Sequence, residues 1–143
     1  MAFERPVLDI PGIIAGEDFS SAGSLTGLNS TGQFLFVKLP TNGTDLTVVH
    51  CNAHHDRPIG VSQGNSKSGD ALQVRAIGVT KVVAGSAIKR GQNIGTDNAG
   101  RGVPKNETST GADYGDYVAG IALDSVAAAG SVFSCLISSP YRI

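Results

Sequence analysis

The chain has no tryptophan, one methionine, two cysteines and only three histidines in 143 residues. Charged residues are also scarce, at 16%, with 11 basic against 12 acidic side chains spread along the sequence rather than gathered in blocks. A formal net charge of −1 leaves no electrostatic footprint for a nucleic acid or an anionic membrane. No apolar run approaches the roughly 18–20 residues that span a bilayer as a helix. Glu4, Arg5 and Asp9 fall where a signal peptide needs its apolar stretch, so synthesis in the cytoplasm is expected. In that reducing compartment Cys51 and Cys135, each inside an apolar segment, read as small core residues rather than a disulfide. Three glycosylation sequons, at Asn29, Asn42 and Asn106, then read as polar turns.

What is abundant is glycine, 19 of 143 residues, alongside 41% apolar residues. This mixture is poor in helix formers and rich in turn formers, so it points to many short strands. A chain of this length is the size of one domain and buries roughly 68–70% of its unfolded surface. Residues 1–32 carry Pro6, Pro11 and Gly12 and then a Gly, Ser and Thr-rich run, with room for one helical turn near Glu17–Ala22. They read as an extended N-terminal arm, and residues 33–143 as the β domain.

In the β domain, "QFLFVKL" and "DLTVVHC" flank "PTNGT", and Asn42-Gly43 is a hairpin signal because both residues tolerate positive φ. "GDALQVRAIGVTKVV" alternates, with Leu72, Val74 and Ala76 on one face and Gln73 and Arg75 on the other, and Gly78 marks a bulge or bend. Two strands, 117–123 and 131–137, close the sequence around a turn near Gly130, with 124–129 an alternative helical turn. About eight short strands argue for a compact all-β barrel or sandwich.

One stretch invites a chemical reading: "VVHCNAHHDRPIGV" places His50, Cys51, His54, His55 and Asp56 within seven positions. On a strand, His50 and Cys51 point to opposite faces and cannot readily bind one ion. Pro58 and the β-rich lead-in oppose a helix that would stack His50 on His54. A structural zinc site draws ligand pairs from separated segments, and no second Cys/His pair exists. No "GxSxG" elbow is present, and "GNSKS" at 64–68 has Ser66 where a phosphate loop requires Gly before Lys67. Asp113 and Asp116 read as solvated loop carboxylates rather than an acid–base pair. The sequence therefore gives no catalytic residue, no metal ligand and no cofactor site, and the His stretch reads as a strand end and loop.

The blocks "FVKL" at 36–39, "DRPIGVSQ" at 56–63, "SGDALQVRAIGVTKVVAGSAIKRGQNIGTDNAGRGVP" at 68–104 and "VAGIALDSVAAAG" at 118–130 resemble, in collinear order, the capsid decoration or cement proteins of tailed bacteriophages. The three histidines depart from that pattern. The resemblance implies a small, non-enzymatic β protein on the outside of the expanded icosahedral head. It implies two kinds of partner, the major capsid protein and the chain itself, as a homotrimer at local three-fold positions or as a dimer. Nucleic acid and membrane are not among the expected partners. Phe3, Arg5, Pro6, Val7, Leu8 and Ile10 are the expected capsid-contact residues of the arm, which adds apolar contacts or a strand to a sheet edge.

Two other readings compete. A β binding module for a carbohydrate or host surface needs a concave site with exposed aromatics, which three Tyr, five Phe and no Trp supply poorly. A small metalloenzyme built on the His loop needs stoichiometric zinc held by His54 and His55.

Overall fold

The computed structural model describes residues 2, 4–20, 32–44, 46–106 and 113–143. Its ten strands are β1 (Arg5–Ile10), β2 (Ile14–Ala15), β3 (Phe36–Lys38), β4 (Thr47–His50), β5 (Gly60–Ser62), β6 (Val74–Val83), β7 (Asn93–Thr96), β8 (Gly102–Pro104), β9 (Tyr117–Ala122) and β10 (Val132–Arg142). They follow the order β2-β4-β3-β5-β6-β10-β9-β7-β8, with β1 added to β6. The all-β reading holds, but among the described residues ten strands lie in one sheet whose ladder path has two ends, at β2 and β8, instead of the compact barrel or sandwich of about eight short strands that the turn spacing suggests. A single parallel bridge, Ala84 to Gly102, brings β8 back against the end of β6.

Strand β6 is the organising element. Gly78 and Val79 are paired on both edges, with Pro6 and Arg5 on one and Ile137 and Leu136 on the other. Further along, Arg75 pairs with Asp9 of β1 and with Val61 of β5. Strands β10 and β5 thus occupy one edge of β6 end to end, and β1 runs along the other. The irregularity expected at Gly78 is real: its φ is 126°, open only to glycine, and the register slip lies opposite it in β1, between Pro6 and Leu8.

Two apolar clusters form the interior. The larger gathers Phe36, Val61, Val82, Ile88, Ile94, Phe133 and both cysteines. The smaller joins Val37, Val48, Leu72 and Val74 to Ile13, Ala15 and Phe19 from the lead-in segment. Each large side chain so enclosed contributes about 1.5–3 kcal/mol. The segment before residue 33 therefore supplies two strands, β1 and β2, and three core side chains to the body.

Other local expectations are modified. β3 and β4 are antiparallel neighbours, Val37 opposite His50, but Gly43 is not at positive φ; Leu46 is, at 64°. The connection turns twice, with Gly43 N–H donating to the Pro40 carbonyl and Thr47 N–H to that of Thr44, so it is longer than a two-residue hairpin. Residues 124–129 form bends and an isolated bridge from Val126 to Ile88 rather than a helical turn. Of the other suggested helical turn, Glu17–Ser20 are bends and turns, and the remainder lies outside the described residues.

Candidate functional site

The His stretch is held by its own chain. Asp56 Oδ2 accepts hydrogen bonds from Asn52 N (2.9 Å), Ala53 N (3.0 Å) and Lys38 Nζ (2.8 Å), closing 52–56 into a turn. Burial opposes the charge on Asp56, yet those donors hold its carboxyl below the usual carboxylate range. His50 ends β4 with its Nδ1 2.6 Å from Glu17 Oε1, which also accepts the His50 N–H at 2.5 Å. Cys51 points the other way, into the larger apolar cluster. Asp56 and His50 thus already have partners that hold the strand end and turn. Among the described residues, no three His, Cys, Asp or Glu side chains are gathered as a metal would require.

His54 belongs to a different assembly. Its N–H donates to Asn98 Oδ1 at 2.8 Å, and its Nδ1 lies 3.0 Å from Asp116 Oδ2. The same Asp116 oxygen accepts from Lys105 Nζ at 2.7 Å. Asp116, read from sequence as solvated, is 2% exposed at its side chain, and Lys105 is 3% exposed, while His54 is 53% exposed. The sequence reading fails here because Asp116 lies one residue before β9, where the sheet encloses it, and not on a free loop. Burial works against its charge, but the Lys105 ammonium and then the His54 ring lower its carboxyl below the usual value. His55 stands edge-on to His54, with ring centres 5.1 Å apart.

The arm residues split. Phe3 lies outside the described residues. Arg5, Pro6 and Val7 are in β1, Leu8 is exposed and faces Ile77, and Ile10 packs on the smaller core cluster. Asp9, not singled out in the sequence, is the anchor: its Oδ1 accepts from Arg75 Nε at 3.0 Å and its Oδ2 from Gln73 Nε2 at 2.5 Å. The alternation of β6 places Arg75 opposite Val74, yet Arg75 is buried too, because β1 covers that side.

Sequence reasoning also missed a row of exposed apolar side chains on β6, β9 and β10: Ile77, Ile121 and Leu136. Periodicity could have found it, since the apolar residues of "VAGIALD" and "VFSCLIS" fall on both strand faces, more than one core can cover.

A family model described as phage cement protein matches residues 32–137. Among solved structures, the N base of head fiber gp8.5 in bacteriophage phi29 is similar, with a TM-score of 0.62 and 22% identity over 92% of this chain and 93% of that one. At that identity the likeness is one of fold. No curated protein matches.

Proposed function

The chain belongs to the phage cement protein family, and from that premise we propose that it binds the outer surface of the expanded icosahedral head and ties neighbouring major capsid subunits together. It is a structural, capsid-associated protein of the virion and not an enzyme. The observation that carries the proposal is the extent of the family match, residues 32–137, which takes in β3 to β9 and the first part of β10. Residues 5–10, which precede the match, pair with β6 as β1.

In this reading Phe3, Arg5, Pro6, Val7 and Leu8 make the capsid contact, while Ile10 and Asp9 hold the arm to the body. Any one arm is a small contact and binds weakly. Several copies in one homotrimer, or in a dimer, engage the lattice together and bind well through the high effective concentration of the second and third arms. A near-neutral surface avoids competition from packaged or free DNA.

The test is co-sedimentation of the full chain with expanded empty heads and with unexpanded precursors, beside a Phe3→Ala, Arg5→Ala variant. Removing residues 1–32 is unsuitable because Ile13, Ala15 and Phe19 are core. Saturable binding to expanded heads at a fixed ratio to the major capsid protein, weakened at least tenfold in the variant, is expected. No binding to either shell sinks the capsid role; binding unchanged in the variant sinks the arm as its contact.

A further inference from the structure

Aromatic side chains are few in this chain, but the fold gathers them. A cleft of about 410 Å³, where β9 begins and β10 ends, is lined by His54, His55, Tyr114, Asp116, Tyr117 and Arg142. Two of the three tyrosines and two of the three histidines in the sequence thus share one concavity. Tyr114, at 63%, is the most exposed large hydrophobic side chain among those described.

Buried groups hold the cleft in shape. Asp116 is withdrawn from water, is neutralised by Lys105 and lies 3.0 Å from His54 Nδ1. A carboxylate only accepts, so that nitrogen carries the hydrogen, and the Nε2 of a neutral His54 ring is left as an acceptor. Arg142 is positioned by its Nε, which donates to the Gly115 carbonyl at 2.9 Å. Arg57 stands beside the cleft, its guanidinium 6.0 Å from the centre of the Tyr117 ring. The neighbouring acids are engaged elsewhere, Asp56 with Lys38 and Asp113 with the Asn106 N–H. With Lys105 and Asp116 cancelling, two guanidiniums remain that no carboxylate pairs with among the described residues.

We infer that this cleft binds an acidic saccharide, a sugar ring that carries a carboxylate. The apolar face of a sugar ring stacks on a tyrosine, a guanidinium meets a carboxylate with two parallel hydrogen bonds, and His54 Nε2 accepts from a hydroxyl. A bare anion makes no use of the tyrosines, and a neutral sugar makes none of the arginines. An acidic peptide added as a strand needs a free sheet edge, whereas β9 lies between β7 and β10. This activity does not rest on the capsid role: the arm pairs with β6, and β10 separates β6 from β9, so arm and cleft occupy different parts of the sheet.

The experiment is a nuclear magnetic resonance titration of the isotope-labelled full chain with glucuronate and galacturonate, beside glucose, galactose and acetate at the same ionic strength. The expected result is a saturable shift of amides at 54–55, 114–117 and 142 with at least one of the two acids, and binding at least about tenfold weaker for its neutral counterpart and for acetate. Tyr114→Ala should weaken that binding at least about tenfold while Tyr114→Phe keeps it, and Arg142→Gln should remove the preference for the acid over the neutral sugar. Unchanged amide positions away from the cleft check that each variant is folded. No saturable shift with either acid, acetate or the neutral sugars binding as tightly as the acids, or a folded Tyr114→Ala that binds like wild type overturns the inference. A chain that decorates heads yet ignores both acids sinks the cleft alone, whereas saccharide binding without head binding sinks only the capsid reading.

Discussion

Lys105 Nζ lies 2.7 Å from Asp116 Oδ2 with both side chains withdrawn from water, and the pair pins the end of β8 to the start of β9. Two charges so buried owe their stability to each other, and removing one leaves the other uncompensated. Lys105→Met is therefore expected to lower unfolding free energy by about 3–5 kcal/mol, and the double variant Lys105→Met, Asp116→Leu to recover most of that loss. Urea denaturation of the single and double variants measures the coupling. A single-variant loss below about 1 kcal/mol would show the ammonium to be solvated and the pair dispensable.

The same site sets a dependence on acid. Asp116, Asp56 and Asp9 all have folded-state pKa values below the ordinary 3.8, each despite the opposing effect of burial, because Lys105, Lys38 and Arg75 donate to them. A carboxyl depressed on folding adds stability that is complete above its unfolded value and is lost as pH falls through the folded one. The melting temperature should therefore be flat from about pH 5 to 7 and fall below about pH 4. Asp116→Asn should flatten the acid limb. A melting temperature that stays flat through this range would show that these carboxylates do not govern acid stability.

Both thiols should be silent in the folded chain. Burial pushes Cys51 up to about 12, helped by the Asp56 charge, and burial pushes Cys135 up to about 12 as well. Neither is a thiolate at neutral pH, so a thiol reagent should label them only on unfolding. Fast labelling of either under native conditions would mean that the larger cluster opens locally.

These sites show which parts of the structure a sequence exposes. Strand β6 was legible because period-two alternation and one glycine specify a bent strand, and Gly78 marks the irregularity, although the extra residue lies across from it in β1. The His loop was legible because strand geometry sends His50 and Cys51 apart. Asp116 was not, since nothing local records that β8, β9 and the 51–57 loop converge on it. The exposed apolar row was legible only in part: apolar residues on both faces of β10 show that one face is left over, but Leu136 and Ile137 look alike in sequence, and pairing with Val79 and Gly78 alone decides which faces outward. The burial of Arg75 needed β1 in place, a contact 66 residues distant.

That contact yields the last expectation. Arg75 is buried, and its nearest carboxylates are Asp9 at 3.0 Å and Glu4 at 3.8 Å, both from the arm. Asp9→Asn keeps the shape but removes the charge that neutralises the guanidinium, and loss of a hydrogen-bonded charge partner costs about 1.5–3 kcal/mol. The variant should be destabilised by that much in urea, and amide exchange of β1 should rise before that of β9. Because Asp9 is not among the proposed contact residues Phe3, Arg5, Pro6, Val7 and Leu8, its replacement separates anchoring from contact. If the arm must be held on β6 to meet the shell, D9N binds expanded heads more weakly with every proposed contact residue intact. If the arm works as a free strand, D9N binds as well as wild type and only stability falls, which would make the β1 pairing a resting place for the arm and not part of the contact.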